Sequence, residues 1–124
     1  MKRNAISWFE LQASDLNRAR TFYEKILGEE LIKIGEESEH VMWMFPCDEG
    51  HNGIGGAICS MPNCSPGEGG TLVYLNVDGK LDEVIARIPS AGGEIHQPKM
   101  TIPHGFIAIF KDSEGNFVGL HSPS

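Results

Sequence analysis

The sequence predicts an α+β fold in which two βαβββ modules follow each other within a single domain of 124 residues. Residues 14–28 show an amphipathic helix pattern that follows one strand pattern and precedes three more. The same order of patterns then returns in the second half of the chain. Matching landmarks of the two halves, Asp15 with Asp78 and Gly56 with Gly119, are 63 positions apart. A spacing that holds across a whole unit indicates an internal repeat.

The first module, residues 5–60, opens with ISWFELQ, whose alternation of apolar and polar residues is typical of a strand. The helix that follows is predicted to begin at Ser14 or Asp15, since both are good N-caps, and to end at Gly28. Three short apolar runs, ELIKIG, HVMWMF and GGAIC, are predicted to complete the module as strands.

The second module, residues 70–122, contains a strand pattern in TLVYLNV, a helix pattern in KLDEVIARIPSAGG, and strand patterns in EIHQPKM, FIAIFK and FVGLH. Pro89 has no backbone N–H to donate, so we expect the second helix to end early or distort near Ile88.

The segment FKDSEGNFVGLHS closes the second module. Asp112, Gly115 and Asn116 are turn residues, so we expect a tight turn that leads into a buried strand. Gly119 interrupts this strand. A glycine inside a strand usually marks a bulge or a place where another group comes close, so we expect open space beside it.

The charge balance limits the class of partner. The chain has 17 acidic and 10 basic residues and a formal net charge of -7, which repels the phosphates of nucleic acids and of anionic membranes. No run approaches the roughly 18 apolar residues of a membrane-spanning helix, and the start MKRNAISWFE lacks the apolar stretch of a signal peptide. We expect a cytoplasmic protein that binds neither nucleic acid nor a membrane.

The three cysteines, Cys47, Cys59 and Cys64, are expected to be reduced thiols, because their number is odd and nothing indicates export. Together with His40 and His51 they offer enough donors for a zinc ion. Structural zinc sites, however, generally combine two close ligand pairs, and the second pair is missing here. Buried or loop thiols are the favoured interpretation.

The repeat, the opening LQASDLNRARTFYEKILG, the mid-chain GGTLVYLNVDGKLDEVIARIPSAGGEI and the closing IFKDSEGNFVGLHS together resemble the vicinal oxygen chelate superfamily. This superfamily includes glyoxalase I, the extradiol dioxygenases, and the fosfomycin and bleomycin resistance proteins. The resemblance covers nearly the whole chain and implies that the mixed sheets of the two modules form an open barrel around a cavity. It is more specific for fold than for function, because one scaffold hosts many chemistries.

Metal-bearing members of this superfamily carry ligands at four cavity-facing positions, which the resemblance maps onto Trp8, Gly56, Thr71 and Gly119. A divalent ion needs imidazole, carboxylate or thiolate donors, and none of these four residues provides one. The sequence therefore predicts no metal at these positions and no cofactor. It also predicts that the two glycines leave room for a ligand or for the indole of Trp8.

Strand alternation adds further residues to the predicted small-molecule site. The additional ligand-binding candidates are Glu10, Gln12, Val73, Leu75, Phe117 and His121, with His104 at the cavity mouth. Trp8 and Phe117 are expected to offer stacking surfaces for a ligand. Glu10 is the candidate catalytic acid or base, and the alternative for it is a solvated carboxylate at the rim.

Three functional hypotheses remain open. The favoured one is a glyoxalase/bleomycin-resistance-like protein that binds a small organic molecule in the barrel cavity without a metal. The second is a metal-dependent enzyme similar to lactoylglutathione lyases or dioxygenases, with the ion held by non-standard residues such as Glu10, His51, His104 and His121. The third is an enzyme without a metal in which Glu10 removes a proton next to a carbonyl.

We predict a homodimer, because members of the superfamily commonly dimerise and because edge strands gain protection from a second copy. Light scattering at tens of micromolar protein should give the mass of two chains. A monomeric mass at that concentration would contradict the prediction.

Overall fold

The computed structural model describes residues 7–35, 41–47, 53–62 and 64–124. The first module contains strand β1 (Trp8–Gln12), helix α1 (Leu16–Leu27) and strands β2 (Ile32–Ile34), β3 (Met42–Met44) and β4 (Gly55–Cys59). The second module contains strand β5 (Tyr74–Asn76), helix α2 (Leu81–Ala91) and strands β6 (Glu94–Ile102), β7 (Gly105–Lys111) and β8 (Phe117–Ser122). The predicted tandem βαβββ fold is confirmed.

Each module forms one four-stranded mixed sheet. The strand order is β1-β4-β3-β2 in the first sheet and β5-β8-β7-β6 in the second. In both sheets the first and last strands of the module run parallel, and the other neighbours are antiparallel. Both sheets are open. The edge strands are β1 and β2 in the first sheet and β5 and β6 in the second. The crossover from β1 to β4, or from β5 to β8, carries the helix of its module.

Helix α1 has the predicted start and stop. The Asp15 side chain accepts a hydrogen bond of 3.0 Å from the backbone N–H of Arg18, which caps the first turn. At the other end Gly28 adopts a left-handed conformation with φ 70°, and its N–H bonds to the carbonyl of Glu24. The apolar face between these caps is buried and consists of Ala19, Phe22, Tyr23 and Ile26.

Helix α2 differs from the prediction, because it runs through Pro89 to Ala91 without ending at Ile88. Pro89 lies in the last turn, where the loss of one backbone donor is a small disturbance. The carbonyls of this turn still find partners, since the N–H of Gly93 bonds to Ile88 at 3.0 Å and that of Gly92 to Pro89 at 3.2 Å. The helix starts at Lys80 as N-cap, two residues later than the Asp78 landmark indicated.

The two helices pack against each other, and one hydrophobic core connects both modules. Its centre is aromatic: the ring of Tyr23 meets Phe45 of the first module edge-on, with centroids 5.2 Å apart, and Phe22 lies 6.0 Å from Phe110 of the second. Both sheets contribute the residues that face the helices, including Leu11, Ile58, Leu75 and Leu120. The opposite faces of the sheets point away from this core.

The turn at residues 112–116, called the closing turn below, connects the second module to the first. The Asp112 carboxylate accepts hydrogen bonds from the Tyr23 hydroxyl at 2.7 Å and from the backbone N–H groups of Glu114 and Asn116. The Asn116 side chain donates to the carbonyl of Gln12 at 2.8 Å. A single buried turn of module two is thereby bonded to both β1 and α1 of module one.

Glu114 makes the second half of this connection. Its carboxylate accepts the backbone N–H groups of Ser14 and Asp15, each at 2.9 Å, and an ion pair of 2.7 Å from Arg18. Burial alone would raise the pKa of Glu114, but the hydrogen bonds from Arg18, Asp15 and Ser113 outweigh it and lower the pKa below its ordinary value. The closing turn therefore holds an ionised carboxylate at the start of α1.

The structure describes no helix that is both long enough and apolar enough to cross a membrane.

Replacement of Glu114 by glutamine should lower the free energy of unfolding at pH 7 by about 1–3 kcal/mol, the range for hydrogen bonds to a charged group. Because the folded-state pKa of Glu114 lies below the ordinary value of 4.5, its contribution is present above that pH and is lost as the pH falls through the folded pKa. Urea unfolding of wild type and Glu114→Gln should thus differ at pH 7, and the difference should shrink as the pH falls below 4.5. A difference that does not shrink would contradict this. Exposed Glu30→Gln is the matched control.

Candidate functional site

The strand register revises which residues correspond in the two modules. The N–H of Ala13 bonds to the carbonyl of Cys59, and in the second module the N–H of Val77 bonds to that of His121. Ala13 therefore corresponds to Val77, and Cys59 to His121. Counted along the strands from these pairs, Glu10 corresponds to Tyr74 and Trp8 to Leu72, while Ala57 is the counterpart of Gly119.

Two of the four positions to which the resemblance assigned metal ligands, Gly56 and Thr71, therefore lie on the face of the sheet opposite to the predicted one. A Cβ atom on Gly56 would meet the ring of Phe9, so Gly56 faces the helix side of its sheet, opposite to Trp8. Thr71 lies four positions before Leu75, whose side chain is buried in the core, and an even spacing places both on the same face. The side chains of Val73 and Leu75 share this orientation, so they lie on the face opposite to Tyr74, the strand neighbour of Gly119. A slip of one residue in the assumed repeat is enough to reverse the face.

Trp8, Glu10, Gln12 and Cys59 meet on the open face of the first sheet and are called the Glu10 cluster below. The indole Nε1–H of Trp8 donates to the Glu10 carboxylate at 3.1 Å. The Cys59 thiol donates to the other carboxylate oxygen at 3.6 Å and accepts a hydrogen bond from Gln12 at 3.4 Å. The prediction that Trp8, Glu10 and Gln12 share one face agrees with these contacts.

Cys59 is the member of this cluster that the sequence analysis did not include in the predicted small-molecule site. Burial, together with the neighbouring charge of Glu10 and the hydrogen bond to it, raises the pKa of the Cys59 thiol to about 11. The group is therefore a protonated donor at neutral pH and a poor nucleophile. Its place in β4 beside β1 is a property of strand pairing, which the pattern of one strand does not reveal.

The ring of Tyr74 occupies the space beside Gly119 that was predicted from the sequence to be open. A Cβ atom at this position would meet the ring of Tyr74, its neighbour on β5. The expected vacancy is therefore wrong, and Gly119 instead permits the phenol ring to lie across the strand. The indole of Trp8 lies in the same manner next to Gly55, whose Cβ would come within 3.2 Å of the six-membered ring.

The remaining predicted residues of the second module are not gathered into one site. The ring of Phe117 stacks on His96 with centroids 4.5 Å apart, so one of its two faces is already covered. The imidazole of His121 lies 3.0 Å from the backbone carbonyl of His104, and the side chain of His104 is exposed in the turn before β7. None of these groups contacts the Glu10 cluster in the described hydrogen-bond network.

A cleft of about 670 Å³ lies between the modules. Its walls contain Gly56, Val73 and Leu75 of the predicted set, and it does not include Trp8, Glu10, Gln12, Thr71, His104, Phe117, Gly119 or His121. The residues that the sequence missed are mostly apolar and come from both modules: Phe9, Leu27, Phe45, Pro46, Cys47, Ile54, Leu72, Tyr74, Val77 and Val84. Glu29, Asn76, Asp78 and Lys80 supply polar groups. Volume and lining are those of a small-molecule site.

The residues present do not fit the divalent metal of the vicinal oxygen chelate enzymes. On the faces that carry the mapped positions, Trp8, Ala57, Leu72 and Gly119 offer no ligand atom. Within the described part of the chain no three His, Cys, Asp or Glu side chains are grouped closely enough to hold an ion. His40 and His51, which the zinc and non-standard metal hypotheses used, lie outside the described residues.

Two tandem βαβββ modules that enclose an apolar cleft define a protein of the glyoxalase-like fold class. The sequence profile of the Glyoxalase/Bleomycin resistance protein/Dioxygenase superfamily matches residues 5–120. The chain therefore belongs to this superfamily, as its motifs indicated. A search among curated protein sequences finds no match.

Solved structures share the fold at low sequence identity. A glyoxalase/bleomycin resistance protein from Albidiferax ferrireducens is 16% identical with a TM-score of 0.74, covering 96% of this chain and 98% of its own. A genomically encoded fosfomycin resistance protein from Listeria monocytogenes is 18% identical with a TM-score of 0.67, covering 98% and 94%. An antibiotic binding protein from a Streptomyces species is 23% identical with a TM-score of 0.64, covering 100% and 99%. At these identities the similarity shows the fold alone.

Gly119→Ala should cost about 1–3 kcal/mol of unfolding free energy, as overpacking does. The new methyl group would meet not only the ring edge of Tyr74 but also its Cγ, at 2.8 Å, so the whole ring has to move. In a Tyr74→Ala background the same substitution should cost little, and urea unfolding of the four proteins measures the difference. An equal cost with and without Tyr74 would contradict the assignment. Gly69→Ala, where a Cβ meets nothing within 4 Å, is the control.

Proposed function

We propose that this protein binds a small, largely apolar organic molecule in the cleft between its two modules, without the metal of the enzymatic relatives. The observation that carries the proposal is the cleft itself: about 670 Å³ of space with aromatic and aliphatic walls contributed by both modules. Ligand pockets of drug-sized molecules have volumes of roughly 300–1,000 Å³ and mainly apolar linings with a few polar groups.

The walls of the cleft are suited to a flat ligand. The rings of Phe9 and Phe45 are stacked with an interplanar angle of 26° and centroids 5.7 Å apart, and both line the cleft. On the opposite wall, the edge strand β5 and the residues on either side of it contribute positions 72–77. Polar groups are confined to a few positions, including Glu29, Asp78 and Lys80, which can orient a ligand without dominating its affinity.

The resemblance to resistance proteins agrees with a binding role. One solved structure with this fold is described as an antibiotic binding protein and another as a fosfomycin resistance protein. Because their identities to this chain are 23% and 18%, they support the class of function and do not name the ligand.

Metal-free acid–base catalysis is the second candidate function. It is favoured by one observation, the fixed position of the Glu10 carboxylate between the Trp8 indole and the Cys59 thiol. Glu10 is solvent-exposed and lies outside the cleft, so a substrate for it has to occupy the open face of the first sheet. Loss of turnover in Glu10→Gln, measured on any substrate found by screening, is the test for this alternative.

We also propose that the protein is a cytoplasmic homodimer. Large apolar side chains remain exposed in the single chain, among them Ile32, Tyr74 and Met100, and a second copy would cover some of this surface. The free thiols of the three cysteines agree with a reducing compartment. Light scattering tests the dimer, and cell fractionation tests the location.

Cleft binding is tested with N-phenyl-1-naphthylamine, an uncharged probe whose fluorescence rises in apolar sites. Leu72 lines the cleft and is 38% exposed, so Leu72→Trp fills space without disturbing the core. The variant should raise the Kd of the probe by about tenfold, equivalent to about 1.4 kcal/mol. Met100→Trp, an exposed position outside the cleft, is the matched control and should leave the Kd unchanged.

The same titration tests the absence of a metal. Addition of EDTA should change neither the Kd of the probe nor the melting temperature, because a bound ion would stabilise the folded state. Equal probe affinity in wild type and Leu72→Trp would refute cleft binding, and a loss of stability in EDTA would revive the metal-dependent hypothesis.

A further inference from the structure

We propose that Trp8 and Glu10 form a binding site for an organic cation, such as a quaternary ammonium group, on the open face of the first sheet. The proposal does not rest on the cleft, whose walls include neither Trp8 nor Glu10. Its basis is the combination of an exposed aromatic face with a carboxylate in fixed contact.

The indole is held in one orientation. Its Nε1–H donates to the Glu10 carboxylate at 3.1 Å, and its six-membered ring lies against Gly55, where the missing side chain lets the ring approach the neighbouring strand. Trp8 nevertheless remains 38% exposed. Because the ring already has a fixed orientation and an accessible surface, little side-chain conformational entropy is lost when a ligand binds to it.

The Trp8 indole and the Glu10 carboxylate both attract a positively charged ligand. The face of an indole attracts cations through its negative π surface, and a carboxylate at the ring edge adds direct charge attraction. Glu10 takes part in none of the ion pairs among the described residues, so its charge is available. The net charge of -7 favours the approach of a cation from solution.

The other tryptophan shows how the protein itself satisfies an indole face. The guanidinium of Arg20 lies over the ring of Trp43, 3.8 Å from its centroid. The described residues place no Arg or Lys over Trp8. The cation on Trp43 belongs to the chain, whereas we infer that the cation on Trp8 comes from a ligand.

The internal repeat supplies a comparison within the same molecule. At the positions of the second sheet that correspond to Trp8 and Glu10 stand Leu72 and Tyr74, which provide neither an indole nor a carboxylate. The cation site is therefore a property of the first module, and the pseudo-equivalent surface of the second module serves as the negative reference.

The test is a titration of the uniformly ¹⁵N-labelled protein with choline and with 3,3-dimethylbutan-1-ol, its uncharged isostere, observed by NMR. Choline should shift the indole N–H signal of Trp8 and leave that of Trp43 in place, and the alcohol should bind about tenfold more weakly. Glu10→Gln keeps an acceptor for the indole but removes the charge, and should raise the Kd of choline by about tenfold.

Trp8→Leu should abolish choline binding, and Met100→Ala, at an exposed apolar position of the second module outside the cleft, is the control. Unfolding curves of each variant show whether it is folded, and Glu10→Gln should match wild type because its carboxylate is exposed. Equal shifts with choline and the alcohol, or an unchanged Kd in Glu10→Gln, would overturn the proposal. Binding of N-phenyl-1-naphthylamine is independent of these outcomes, so the cleft can be correct while the cation site is not.

Discussion

The burial of two carboxylates in the closing turn is the constraint on which the rest of the structure depends. Asp112 and Glu114 are 4% and 9% exposed, and buried carboxylates are costly unless donors surround them. Their donors come largely from the other module: the Tyr23 hydroxyl, two backbone N–H groups before α1, and Arg18. Among the described residues, the Glu114 carboxylate receives only the Ser113 hydroxyl from its own module, so its other donors depend on the first module. The turn therefore fixes how the modules meet, and the cleft exists because they meet in this way.

Pairs of glycine and aromatic residues shape the sheets on either side of this junction. Trp8 lies on Gly55, Phe9 on Gly56, and Tyr74 on Gly119. In each pair the glycine lets a ring lie flat across a neighbouring strand, which compensates for the packing that glycine itself lacks. The Phe9 pair lines the cleft, the Trp8 pair orients the indole beside Glu10, and the Tyr74 pair fills the position where metal-bearing relatives place a ligand residue.

Most of the fold could be predicted from the sequence because hydrophobic periodicity and capping residues are local signals, as Asp15 and Gly28 show. The site was harder to predict, because the strand register decides on which face of the sheet a side chain lies. The segment from Ala13 to Cys59 is two residues longer than its counterpart from Val77 to His121, so a constant landmark spacing assigned Gly56 in place of Ala57. The error reversed the predicted face of Thr71 as well. The cleft and the role of Glu114 arise from contacts between distant segments, which no single segment encodes.

We propose that a ligand occupies the space between the two modules. Isotope-filtered NOE spectra of the complex with N-phenyl-1-naphthylamine test it most directly, because methyl groups line both walls of the cleft. The structure predicts NOEs from the probe to Leu27 or Ile54 of the first module and, in the same complex, to Leu75 or Val84 of the second. NOEs confined to one module, or to the open sheet faces, would contradict it.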